Sequence, residues 1–169
     1  MELDHTRVPV SASVDGVSKR IQLSQRLPDA YKVLGGLYGA NGKAAVDAGL
    51  DPKVIELVKM RTSQLNGCAY CCDLHSHDTL KLGEDPRRLF VLSAWRETDL
   101  FDDVERAALA LAEAITRLSE TQDVPDAVYE EATSVLTEEQ YRAVVWSATL
   151  MNTLNRLGVT SHRPLPRTK

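Results

Sequence analysis

From Pro28 to Leu157 apolar side chains recur three and four residues apart, and that period commits most of the chain to helices packed on helices. The clearest stretch is Val104, Ala107, Ala108, Leu111, Ala112, Ile115 and Leu118, an i, i+3, i+4, i+7 stripe with Asp102 or Asp103 in front of it as a cap. Pro28-Asp29 suits an earlier helix start, with Tyr31, Leu34, Leu37 and Tyr38 on one face, though Gly35, Gly36 and Gly39 weaken it. Asp51-Pro52 opens a helix whose Val54, Ile55, Leu57, Val58, Met60 and Leu65 spread almost all round. Such a helix is a buried one, and Asn66-Gly67 should end it. The pattern then predicts a helix from Ala69 to Leu82 stopping at Gly83, and one from Pro86 carrying Leu89, Phe90, Leu92 and Trp95. A short helix follows Pro125, and Thr137-Glu138-Glu139-Gln140 forms a capping box for a last helix through Leu157. The 169 residues suit one domain, and with 43% hydrophobic but only 5% aromatic residues its core is aliphatic, which speaks against a β-sandwich. The fold class is therefore an all-α, single-domain helical bundle over residues 26–158.

The two ends have a different texture. In residues 1–25, Val8, Val10, Ala12 and Val14 alternate with polar residues, Asp15-Gly16 follows, and Val17, Ile21 and Leu23 resume. That is the pattern of a short β-hairpin, with Pro9 confining its strand to an edge; the alternative is an irregular arm. Residues 159–169 hold the basic Arg163, Arg167 and Lys169 and two prolines, and read as a solvated tail.

Charge and cysteine usage narrow the functional classes. Twenty basic against twenty-four acidic residues give a net charge of −4, which offers no general field for nucleic acid or an anionic membrane surface. No apolar run approaches the roughly 18–20 residues of a membrane span. Met1-Glu2-Leu3-Asp4-His5 is acidic where a secretory signal is basic and then apolar, so the expected location is cytoplasmic. All three cysteines fall within Cys68–Cys72, which excludes a secreted disulfide framework; in a reducing compartment such a cluster is catalytic or metal-binding.

The chemistry concentrates in Glu56, Cys68, Cys71 and His75, at successive spacings of 12, 3 and 4. Cys68 follows a helix-ending Asn-Gly and begins a new helix, where unpaired backbone N–H groups favour a thiolate. Cys71 lies one turn further on the same face, within the Cα separation a disulfide requires, so the two thiols can close a ring reversibly. His75, four residues beyond Cys71, has the right range of basicity to take a thiol proton and return it to a leaving oxygen. Glu56 sits on the preceding helix; if the two helices fold back about Gly67, position 56 faces roughly position 78 and its carboxylate can orient the imidazole.

Each group also has a plainer reading. Glu56 could pair with Arg61 or Arg106, and His75 could be an interior histidine. Zinc could draw on Cys68, Cys71, Cys72, His75 and His77, but ligands from one helix project along a stripe and do not easily surround an ion, so no metal is expected.

Glu56, eleven residues, then Cys68-x-x-Cys71-x-x-x-His75 resembles the core motif of the alkylhydroperoxidase D-like branch of the carboxymuconolactone decarboxylase family. The similarity extends through Glu56-Leu-Val-Lys-Met-Arg-Thr-Ser-Gln-Leu-Asn-Gly-Cys, Leu92-Ser-Ala-Trp-Arg-Glu-Thr and Glu105-Arg-Ala-Ala-Leu-Ala-Leu-Ala-Glu-Ala, and more loosely around Asn152-Thr-Leu-Asn-Arg-Leu, covering roughly residues 28–158. The resemblance implies an all-helical homo-oligomer, trimer or hexamer, with sites near subunit contacts. It implies a thiol peroxidase acting on hydrogen peroxide or organic hydroperoxides, in which Cys71 attacks, Cys68 resolves, and Glu56 and His75 relay protons. The reductant is an external dithiol, such as a lipoyl-bearing protein or a thioredoxin-like donor, and no bound cofactor is implied. Cys72 departs from the pattern: its spacing from Cys68 also permits a disulfide, and the alternative is that it acts as a small hydrophobe. Two other functions stay open at this point, a decarboxylase-like enzyme using Glu56 and His75, and a redox-sensing module without turnover.

Overall fold

Two of the helices start at a proline preceded by an aspartate, and in both the aspartate caps the first turn. Asp51 accepts from the Lys53 N–H at 2.8 Å and Asp85 from the Arg87 N–H at 2.9 Å. In the computed structural model, which describes residues 20–23 and 28–166, the α-helices are α1 (Pro28–Asp47), α2 (Pro52–Leu65), α3 (Ala69–Lys81), α4 (Pro86–Val91), α5 (Asp103–Thr116), α6 (Leu118–Thr121), α7 (Asp126–Val135) and α8 (Glu138–Ser161). Among the described residues there is no strand, and no helix is long and apolar enough to cross a membrane. The hairpin pattern expected before Leu23 lies outside the described residues, apart from Arg20–Leu23.

The all-round apolar helix is, as its composition requires, the central one. α2 packs against α3, α5 and α8, and α1 lies along α8. Val54, Ile55 and Val58 of α2 meet Ala107, Ala108, Leu111 and Ala112 of α5 and Val144 and Ala148 of α8 in one core, while Leu57 and Met60 face a second core with Leu89, Leu92, Trp95 and Phe101. Small alanines on α5 and α8 let the helices approach closely around α2. Capping boxes fix both long partners: Asp102 with Glu105 on α5 and Thr137 with Gln140 on α8.

Three expectations need correction. The helix from Pro86 stops at Val91 and continues as a 3-10 turn, Leu92–Glu97, broken at Ala94 (φ −118°, ψ 29°). Leu89, Leu92 and Trp95 turn inward, but Phe90 points out and is 82% exposed. The last helix runs beyond Leu157 to Ser161, and just past it Arg163 folds back onto the body of the molecule (below).

Candidate active site

Gly67 takes φ +67°, a left-handed conformation that costs glycine little, and so lets α2 turn directly into α3. Cys68 is the N-cap of α3, its Sγ accepting from the Cys71 N–H at 3.4 Å. The turn is tied down from α8: Asn66 donates to Asn152 at 2.9 Å and to Asn155 at 3.0 Å, and Asn155 donates to Ser63 at 3.1 Å. Asn155 is fully buried, and this network ties the α2–α3 junction to α8.

Cys68 and Cys71 form a disulfide with Cα atoms 5.3 Å apart, leaving Cys72 the free thiol. Cys72 points the other way, half-buried against the Leu57–Trp95 core, and burial pushes its thiol pKa up. α2 and α3 fold back about Gly67, and the Glu56 side chain meets His75, with Asp78 close by. The His75 Nδ1–H donates to Glu56 Oε2 at 2.8 Å, since a carboxylate can only accept; this leaves Nε2 as the imidazole's base. Neither arginine partner considered for Glu56 is used. Arg61 donates to Glu113 at 2.7 Å, and Arg106 donates to the Trp95 and Thr98 carbonyls.

Two residues that sequence reasoning missed complete the polar network. Lys59, buried on α2, donates to Glu56 Oε1 at 2.7 Å, and its ammonium lies 4.3 Å from the centroid of the Tyr38 ring. Burial pushes the Glu56 carboxyl up, but the His75 hydrogen bond and the Lys59 charge outweigh it and hold the group below its ordinary value. Burial pulls Lys59 down, but Tyr38 and Glu56 overcome it and hold the ammonium above its ordinary value. Tyr38 is raised, chiefly by burial. The only sequence signal for Lys59 was a charge inside an otherwise apolar helix.

The disulfide is 2% and 6% exposed at Cys68 and Cys71, so reagents can reach it only through cavities. Cys71 and His75 line one of about 270 Å³, walled by Tyr38, Tyr70, Leu74 and Leu154. Cys68 lines a second, of about 290 Å³. Tyr70, Gly158 and Arg163 border both. Gly158 was missed as well: a Cβ there would lie 3.1 Å from Cys68 Sγ and 3.7 Å from Cys71 Sγ, so its bare backbone is what makes room for the sulfurs. The five candidate zinc ligands do not converge. His77 is exposed and bonded to the Asp73 carbonyl at 2.8 Å, Cys72 faces another core, and two of the thiols are joined to each other.

The family model for carboxymuconolactone decarboxylase matches residues 28–114, from the start of α1 to near the end of α5. The chain belongs to the carboxymuconolactone decarboxylase family. It is 34% identical over 143 residues to the uncharacterized protein YdfG of Bacillus subtilis strain 168, a match covering 85% of this chain and 94% of that one. Within the family its fold is that of the AhpD-like branch. The crystal structure of ATU0492 from Agrobacterium tumefaciens, a protein of unknown function described as a candidate antioxidant-defence protein AhpD, superposes with a TM-score of 0.79 at 29% identity, over 88% of this chain and 99% of that one. The alkylhydroperoxidase AhpD core of an uncharacterized peroxidase-related protein from Ralstonia eutropha JMP134 shares the fold, with a TM-score of 0.71 at 22% identity, over 84% and 73% of the two chains.

Proposed function

We propose that the chain is a dithiol peroxidase that reduces hydrogen peroxide or organic hydroperoxides. The observation that carries this reading is a Cys68–Cys71 disulfide whose Cys71 lines a cavity together with His75, the imidazole being held from behind by Glu56. Starting from the dithiol, His75 Nε2 takes the Cys71 proton and the thiolate sulfur attacks the nearer peroxide oxygen. The O–O bond breaks, Cys71 becomes a sulfenic acid, and the alkoxide leaves as the alcohol with the proton from His75. Cys68 then displaces hydroxide from the Cys71 sulfur, forming the disulfide and water. An external dithiol, such as a lipoyl or thioredoxin-like donor, returns both thiols by exchange and is itself oxidised to a disulfide. Glu56 holds the imidazole in the Nδ1–H tautomer and stabilises its protonated form.

Mass spectrometry of the reduced protein after one equivalent of peroxide tests this. The Cys68–Cys71 pair should form with Cys72 untouched, and Cys71→Ser should abolish turnover with a dithiol donor. Wild-type consumption by that variant would overturn the assignment, and activity indifferent to thiol alkylation would move the chemistry to a carbon-acid reaction at Glu56 and His75. We further propose a homo-oligomer, trimer or hexamer, as the family resemblance implies. Sedimentation equilibrium showing a monomer at micromolar concentration would remove that part.

A further inference from the structure

Arg163 lies just beyond α8, where His162 in the left-handed region (φ 45°) turns the chain back so that the Arg163 N–H reaches the Gly158 carbonyl at 3.0 Å. A non-glycine residue held at positive φ is a conformation that the surrounding contacts must maintain. Those contacts place the guanidinium 3.7 Å from the Tyr70 ring centroid, where it donates to the Tyr31 hydroxyl at 2.9 Å. Both partners are neutral. Among the described residues no carboxylate pairs with Arg163, and the carboxylate that lines the Cys71 cavity, Asp78, has its own partner in Lys81 at 2.9 Å. The cavity therefore carries at its border a positioned guanidinium with no carboxylate partner among the described residues, with Leu74, Leu154 and Tyr38 supplying an apolar wall and Cys71 the reactive sulfur.

We infer that Arg163 is an anion subsite, and that the preferred substrates are small organic hydroperoxides carrying a carboxylate at the end remote from the peroxide. This rests on the peroxidase reading for the reacting group, but the carboxylate selectivity comes from Arg163 alone. A planar guanidinium with free N–H groups matches a carboxylate in paired hydrogen bonds, and its stacking on Tyr70 fixes the plane of the fork. A volume of about 270 Å³ equals roughly nine waters at ~30 Å³ each, which suits a single-ring or short-chain body between the two ends.

The test compares the cumene hydroperoxide bearing a para-carboxylate with its methyl ester, in wild type, Arg163→Met and Arg163→Lys. Binding of 4-isopropylbenzoate against 4-isopropylbenzamide is measured by calorimetry in the same proteins. We expect wild type to favour the acid at least tenfold in kcat/KM, Arg163→Met to bring the ratio near one, and Arg163→Lys to keep part of it. The benzoate should bind more tightly than the benzamide, through Arg163. Turnover of both hydroperoxides with no preference, or a preference that survives Arg163→Met, overturns the subsite and leaves the peroxidase intact. If wild type consumes neither hydroperoxide, the peroxidase reading fails, and calorimetry alone decides: Arg163-dependent benzoate binding upholds the anion subsite, and equal binding of benzoate and benzamide overturns it.

Discussion

Glu56 spends one oxygen on Lys59 and the other on His75, with its side chain 13% exposed and that of Lys59 only 9%. Replacing it by glutamine keeps an acceptor but leaves the ammonium without its charge partner, so Glu56→Gln should cost about 3 kcal/mol at neutral pH, the low end for breaking a buried pair. The pH dependence has a definite sign. The folded-state pKa of Glu56 is lowered, so its contribution is fully present above the unfolded carboxyl pKa of roughly 4.3 and drains away as pH falls through the folded value. Urea unfolding of the two proteins from pH 7 down to 3 should show the gap between them narrowing below about pH 4; a constant gap would mean that the carboxylate charge is not what stabilises the site. Part of this was readable in the sequence, because a fold-back at Gly67 puts position 56 opposite the third helix. Lys59 and Tyr38 were not, since a lysine in an apolar run says nothing about which neighbour it meets until α1 and α2 are set against each other.

At the level of elements, α8 does the least visible work. Its cap, its start and its apolar face could be read from Thr137 onward, but a glycine after Leu157 reads as the place where a helix ends. The helix instead continues three residues beyond Gly158, and that residue is the gap into which the sulfurs fit. Two effects oppose each other in Gly158→Ala. Alanine gains about 1 kcal/mol of helix propensity, while overfilling a packed site costs about 1–3 kcal/mol. In the oxidised protein Cys68 Sγ is tied to Cys71 and cannot rotate away from a methyl 3.1 Å off; in the dithiol it can. The substitution should therefore lower the thermal midpoint of the oxidised protein and leave the reduced one unchanged or slightly raised. Equal shifts in the two redox states would show that the close approach at Gly158 has no energetic consequence.

The proposed peroxidase cycle requires the whole molecule to stay folded in both redox states, and helix packing supplies contacts that do not involve the disulfide. α2 is enclosed by α3, α5 and α8, and the Asn66–Asn152–Asn155–Ser63 network fixes the junction that carries Cys68. The bundle was legible from periodicity because helix-on-helix packing needs only a stripe of the right width. The asparagine network was not, because Asn66-Gly67 already had a sufficient explanation as a helix stop. The ring closed by Cys68 and Cys71 spans four residues, and chain-entropy scaling gives so small a loop about 2 kcal/mol of stabilisation. Reduction should accordingly leave the helical circular dichroism signal unchanged and move the urea midpoint by no more than that amount, and a Cys68→Ser, Cys71→Ser double variant should unfold with the reduced protein. A collapse of helix on reduction, or a loss several times larger, would make the bond a structural staple, and a bond on which the fold depends cannot open at every turnover of a peroxidase cycle.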